Sequence, residues 1–355
     1  MAQWQSIQIQ RENGETVKAQ APIIVSASRS TDIPAFYADW FFHRLKVGYS
    51  AWTNPFNGVK SYVSYQDTRF IVFWSKNPRP LLQHLDYLKE RNIGCYIQYT
   101  LNDYDKEGLE RGVPKLSERI DTFKLLVDKL GKGRVIWRFD PLLLTDDISI
   151  DALLSKIEHI GDQLQGYTEK LVFSYADILS YRKVKANLEK SHIPYHDWTE
   201  PQMLEFAERL AELNKKWCYI LATCGEKVDL QQFGIEHNHC VDDALIIRFA
   251  YEDKILMDFL KVKTYPMPVP NIFGESESLP EDAIILPNNT YATHGDNCDK
   301  GQRLFCGCIV SKDVGEYNTC PHLCEYCYAN TSKEAAVLNR KRHLINRESE
   351  TITGV

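Results

Sequence analysis

The chain has 355 residues, 44% of them hydrophobic and 25% charged, an ordinary globular composition with length for one large core or two modest ones. A formal net charge of −6 argues against broad nonspecific binding to nucleic acid, which wants a basic face, although a local basic groove stays open. The start, Met1-Ala-Gln-Trp-Gln-Ser, lacks the basic residues and apolar run of a signal peptide, and no stretch approaches the roughly 18 apolar residues of a membrane span; the expected compartment is the reducing cytoplasm.

The first twenty residues are polar, with Asn13-Gly14 as a hairpin signal, and form an N-terminal extension over 1–21. From Pro22 a rhythm of short β-rich runs and helical stretches begins. The runs are Ile23-Ile-Val-Ser-Ala, Phe70-Ile-Val-Phe-Trp, Gly94-Cys-Tyr-Ile-Gln-Tyr-Thr, Arg134-Val-Ile-Trp-Arg-Phe, Lys170-Leu-Val-Phe-Ser-Tyr and Trp217-Cys-Tyr-Ile-Leu-Ala. Each is apolar on both faces, as strands of a covered parallel sheet are. Helical stretches at 80–91, 117–130, 150–164 and 200–215 separate them. The alternation predicts an α/β fold over 22–260, either a TIM-like parallel β/α barrel (partial or full) or an open sheet. In such folds sites gather at the C-terminal ends of strands. The residues there are Ser28-Arg29-Ser30-Thr31-Asp32, Ser75-Lys76-Asn77-Pro78, Thr100-Leu-Asn102-Asp103, Arg138-Phe-Asp140-Pro141 and Thr223-Cys224, which together predict a polar mouth. Loops face water in any case, so each residue alone is also read as plain surface. Past about residue 255 the rhythm fails: 266–270 and 274–282 read as irregular loops and 288–312 as turn-rich. A helix resumes at 332–343. The segment 261–355 is cysteine-rich and completes the barrel.

Ten cysteines in a reducing compartment suit metal or redox chemistry better than disulfides. Only Cys95 lies in the first 200 residues, whereas six lie between Cys298 and Cys327. The sharpest motif is Cys320-Pro-His-Leu-Cys324-Glu-Tyr-Cys327. Thiolates spaced this closely can wrap one corner of a 4Fe–4S cluster and leave the fourth iron open. A zinc site is the alternative, although structural zinc favours paired C-x₂-C knuckles. A second group, Cys306-Gly-Cys308, can reach one metal centre together, with Cys224 and Cys240 as partners in a second cluster. Buried free thiols are the plainer reading of that group. His237 and His239 are either further ligands or surface residues, and Cys95 and Cys218 sit inside apolar runs as core.

The first motif, with an aromatic residue before its last cysteine, closely resembles the signature of radical S-adenosylmethionine enzymes. That resemblance implies Cys320, Cys324 and Cys327 as cluster ligands, S-adenosylmethionine on the open iron, Tyr326 beside the adenine, and a reductant such as a ferredoxin or flavodoxin. Over nearly its whole length the chain also resembles the bacterial domain of unknown function 1848 group. The matching stretches are Ser26-Ala-Ser-Arg-Ser-Thr-Asp-Ile-Pro-Ala-Phe-Tyr, Phe73-Trp-Ser-Lys-Asn-Pro, Trp137-Arg-Phe-Asp-Pro-Leu, and Cys306-Gly-Cys through Asn330. The interior elements are similar, in order, to those that follow the cysteine motif in the spore photoproduct lyase-like branch. Because the motif here comes last, the resemblance implies a circular permutation that moves the cluster loop to the C-terminus. On that picture Lys76, Thr100, Arg119, Arg138 and Asp140 line the mouth and contact S-adenosylmethionine or substrate. Loop-holding ion pairs, Arg138–Asp140 and Glu110–Arg119, are the structural alternative. An iron–sulfur electron carrier or redox sensor without radical chemistry is the competing function, and a zinc-stapled barrel a third.

Overall fold

The computed structural model describes residues 4–54, 57–269, 278–303 and 305–354. The N-terminal hairpin is present: β1 (Gln5–Gln10) pairs antiparallel with β2 (Thr16–Ala21), in register from Gln5↔Ala21 to Gln10↔Thr16. Gly14 makes the turn at φ +84°, where a side chain would be strained. Next come β3 (Ile24–Ala27), α1 (Ile33–Phe36) and α2 (Ala38–Val47). Then β4 (Tyr49–Thr53) and β5 (Lys60–Ser64), short and serine-bearing, join the hairpin in a sheet ordered β1-β2-β5-β4, which local sequence does not announce.

The expected alternation follows. It runs through β6 (Phe70–Ser75), a 3-10 turn over Arg79–His84, α3 (Leu85–Glu90), β7 (Gly94–Thr100), α4 (Leu116–Leu130) and β8 (Val135–Leu142). It continues through α5 (Ile150–Leu164), β9 (Lys170–Tyr175), α6 (Arg182–Lys190), α7 (Glu200–Asn214) and β10 (Ile220–Thr223). The last strand starts later than its apolar run. Cys218 adopts φ +58° and is exposed rather than core, because the chain turns there while Trp217 packs against Gly161. Cys95 is buried as expected. Beyond lie β11 (Ile235–His237), α8 (Asp243–Ala250) and α9 (Lys254–Leu260). The small sheet β12-β14-β13 is built from β12 (Lys263–Pro266), β13 (Ile284–Leu286) and β14 (Thr290–Thr293). The chain closes with β15 (Lys312–Asp313) and α10 (Lys333–Ile345). The first three residues of the expected extension, and parts of the expected loops at 266–270 and 274–282, lie outside the described residues.

Eight strands form one parallel sheet, ordered β11-β10-β9-β8-β7-β6-β3-β15. From β3 to β11 the order follows the chain without reversal, unlike a doubly wound sheet. Right-handed crossovers in one direction place the connecting helices on one face. The alternation of side chains obeys this. Ile71, Ile97, Trp137 and Phe173 face a core shared with α3, α4, α5 and α7. Val72, Tyr96, Ile136 and Val172 face a second core with α8, α9, Cys240 and Cys308. Gln98 and Arg138, two residues beyond Tyr96 and Ile136, therefore point to the second face. The sheet's outer strands β11 and β15 are linked by a short stretch: the Ile309 amide bonds Val241 O at 3.0 Å, just past β11, and Lys312 pairs with Val25 of β3. Among the described residues no helix is long and apolar enough to cross a membrane.

Candidate functional site

The ends of the parallel strands surround a cavity of about 850 Å³. Cys320, Cys324 and Cys327 line it, and so do Cys224, Cys240, Cys306 and Cys308. All ten cysteines are free. Of the other candidate residues, Lys76, Thr100, Arg138, Asp140 and Tyr326 also reach its wall. Arg119 does not: it is 2% exposed and sits behind the wall, its Nη2 donating to Asn102 O at 2.8 Å. Cys298 is exposed and apart from the cavity.

The motif loop follows β15 and is fastened from several sides. Asp32 caps α1 by accepting from the Ala35 amide at 2.9 Å. The same carboxylate accepts from Ser75 Oγ at 2.7 Å and the Lys76 amide at 2.8 Å, and meets His322 Nε2 at 2.8 Å. His322 Nδ1 meets Gly112 O at 2.9 Å, so both ring nitrogens of this motif residue face acceptors. Burial pushes the Asp32 carboxyl up, but the His322 bond and charge, then Ser75 and Lys76, hold it below the ordinary carboxylate value. Gly112 is a close approach: a Cβ there would lie 2.7 Å from the carbonyl oxygens of Pro321 and His322. Glu325, fully buried, ties the loop to Ser191 and Lys333, and its amide bonds Leu109 O at 2.9 Å. Leu323 turns between the first two cysteines at φ +55°.

Backbone amides point at the motif sulfurs. Those of His322 and Asp32 bond Cys320, and those of Asn330 (3.4 Å) and Ala329 bond Cys327. Burial pushes all three thiols upward, opposed at Cys324 by the nearby Lys76 ammonium.

Tyr326 is anchored by its hydroxyl, which donates to Glu110 and accepts from Lys76 Nζ at 2.9 Å and Asn102 Nδ2 at 3.1 Å. Lys76 also donates to Glu110 at 2.7 Å, and Arg119 stands 3.8 Å from the other carboxylate oxygen. Glu110 thus balances the buried Arg119 and the half-buried Lys76. The Glu110–Arg119 pair and the Arg138–Asp140 pair both exist as loop-holding contacts. Asp140 further accepts from Ser174, and its amide bonds Asn102 Oδ1 at 2.9 Å.

Also lining the cavity, Cys224 Sγ and Cys240 Sγ are 3.2 Å apart. Arg138 Nη1 donates to Cys240 Sγ at 3.1 Å and to Gln98 Oε1 at 3.2 Å. The Cys240 and Val241 amides point at Cys308 Sγ, at 3.2 and 3.4 Å. His237 and His239 are exposed.

Asp313 of β15 and His322 are absent from the candidates drawn from sequence. Asp313 accepts from Ser28 Oγ at 2.8 Å and the Arg29 amide at 2.7 Å, fixing the first loop. It lies one residue past the stretch 288–312 read as turn-rich, with no local signal of its own. His322 sat inside the motif itself.

The family profile described as Domain of unknown function (DUF1848) matches residues 24–329, and the chain belongs to that family. No curated protein matches the chain.

Proposed function

We propose that this DUF1848 protein is a radical S-adenosylmethionine enzyme that holds a 4Fe–4S cluster on Cys320, Cys324 and Cys327 and acts on a substrate in the adjoining cavity. The carrying observation is that the three motif thiols, on a loop braced by Asp32, His322 and Glu325, line a large cavity at the strand ends. The residues fit such a group. Amides directed at Cys320 and Cys327 are the donors that iron–sulfur ligands take. The motif supplies three thiols, one short of the four that close an electron-transfer cluster. With S-adenosylmethionine on the open iron, such a cluster supplies one-electron cleavage of the sulfonium to a 5′-deoxyadenosyl radical.

The protein's own groups shape the space beside it. Glu110 keeps Lys76 charged and directed at the wall, where an ammonium suits a carboxylate. Tyr326 is locked by three partners and gives a rigid aromatic flank for an adenine. Thr100, Asp140 and Ser174 supply hydroxyls and a carboxylate at the ends of β7, β8 and β9 for a polar ligand. A ferredoxin or flavodoxin is the fitting reductant, and ten free cysteines suit the reducing cytoplasm.

The topology supports a permuted partial barrel. β15, last in the chain, stands beside β3, and the cysteine loop and α10 follow it. Read from β15, the order is strand, cysteine loop, helix, then the body of the sheet. The outer strands also lie closer than a flat sheet allows. Eight flat strands would separate them by roughly 34 Å. The link from His237 through Val241 and Ile309 to Lys312 spans at most about 30 Å even fully extended.

The test is anaerobic reconstitution, reduction, and electron paramagnetic resonance with and without S-adenosylmethionine, alongside assay of 5′-deoxyadenosine. A shifted signal and nucleoside that both vanish in Cys324→Ala are expected. A cluster signal indifferent to S-adenosylmethionine would make the protein an electron carrier or sensor, and a colourless protein retaining zinc would make it a zinc-stapled fold.

A further inference from the structure

We propose that Cys224, Cys240, Cys306 and Cys308 hold a second iron–sulfur cluster, closed by four protein thiolates, at the cavity that the motif cysteines also line. The four thiols come from three separate segments: the end of β10, the turn before α8, and the loop that leads to β15. Nothing local brings them together, yet all four line one cavity. Cys224 and Cys240 are 3.2 Å apart and both free. Cys308 Sγ lies 3.2 Å from the Cys240 amide, and Cys306 stands two residues before it on the same loop and lines the same cavity.

The segments are built to approach. The Ile309 amide bonds Val241 O at 3.0 Å, and the Asp299 amide bonds Cys308 O at 2.9 Å. Between the last two cysteines, a Cβ on Gly307 would fall 2.3 Å from the His239 ring, so the two ligand-bearing segments run close together there. Next to Cys224, a Cβ on Gly225 would fall 2.8 Å from Arg303, which reaches over that turn to donate to Tyr181 at 2.9 Å.

The sulfurs are also supplied with donors. Cys240 accepts from Arg138 at 3.1 Å and Asn238 Nδ2 at 3.3 Å, and Cys308 faces two amides. Arg138 is 3% exposed, and a guanidinium aimed at a sulfur there is a thiolate partner more than a substrate clamp. The spread of the whole set, and not the close Cys224–Cys240 pair, is what separates a cluster from a single ion. Tetrahedral zinc needs thiolates about 3.8 Å from one another, from its usual Zn–S length. Among the described residues the trio of candidate ligand side chains mutually within 4.8 Å is His239, Asp242 and Asp243, and no three cysteines meet that measure. Four sulfurs spread beyond that span are reached in common by a polynuclear centre. Four protein ligands leave no open iron, so this centre takes neither S-adenosylmethionine nor substrate.

The inference stands apart from the reading of the first site, and the test separates them. Full-length Cys320→Ala/Cys324→Ala/Cys327→Ala protein, reconstituted anaerobically with iron and sulfide, should retain about four irons and about four sulfides per chain. Its reduced signal should be unmoved by S-adenosylmethionine. Zinc without sulfide, or no metal, would overturn the proposal. Should that variant not fold, Cys306→Ala/Cys308→Ala protein decides: it should lose about half the wild-type iron and keep the S-adenosylmethionine-responsive signal. Unchanged iron in it would overturn the second centre while leaving the first intact. Arg138→Met should shift the midpoint potential of the retained signal in the triple variant, and an unmoved potential would remove Arg138 from the centre.

Discussion

Glu110→Gln should reveal how much the charge balance behind Tyr326 contributes. Glu110 is 4% exposed and meets Lys76 at 2.7 Å, Arg119 at 3.8 Å and Asn102 at 3.3 Å, besides the Tyr326 hydroxyl. Burial pushes its carboxyl up, but Lys76 and Arg119 outweigh burial and bring the pKa from 4.5 to about 2. That fall corresponds to about 3 kcal/mol of folding stability at neutral pH. It agrees with the roughly 3–5 kcal/mol lost when a buried ion pair is deprived of one partner. Because the folded pKa lies below the unfolded one, the contribution is complete above about pH 5 and is lost as pH falls through 2. At pH 3 about 1 kcal/mol should remain. The assay is urea unfolding of metal-free wild-type and Glu110→Gln protein at pH 7 and pH 3. A gap below about 1 kcal/mol at pH 7, or one as large at pH 3 as at pH 7, would refute the account.

Gly112→Ala should reduce iron retained at the motif site several-fold and cost about 1–3 kcal/mol of stability, since its Cβ would push on the Pro321 and His322 carbonyls that shape the cysteine loop. Iron analysis beside a urea titration checks this, and full iron retention would count against the role of that contact. Asp32→Asn keeps a capping oxygen for α1 but removes the charge facing His322, so a loss of about 1–3 kcal/mol and weaker iron loading are expected. Gly161→Ala is the contrasting control: its Cβ would lie 2.5 Å from the Trp217 ring, far along the chain from the motif, so about 1–3 kcal/mol should be lost with iron content unchanged. Thermal unfolding with metal analysis distinguishes the two.

The repeating body of the fold was legible because its signals are local. Runs such as Phe70–Ser75 and Gly94–Thr100 carry apolar side chains on both faces, and helices such as Ile150–Leu164 start at a capping Ser149 and bury every third or fourth residue. The motif cysteines were legible for the same reason, since all three belong to one turn of chain. Short strands were not: Lys312–Asp313 is too brief and polar to carry a pattern, and it is a strand only because Val25 and Ser26 lie beside it. Cys218 read as core from its neighbours, but a left-handed turn exposes it. The site's supports were hidden for a related reason. Lys76 meets Glu110 across 34 residues, Arg138 meets Cys240 across 102, and Asp32 meets His322 across 290. Sequence alone determined which segments are two-sided strands, which are one-sided helices, and where three thiols sit within a single turn, because these depend on side-chain spacing over a few residues. Only the tertiary structure decided that two thiol groups share one cavity and which charges brace it, because those pairings depend on strand order, facing and burial among segments far apart in the chain.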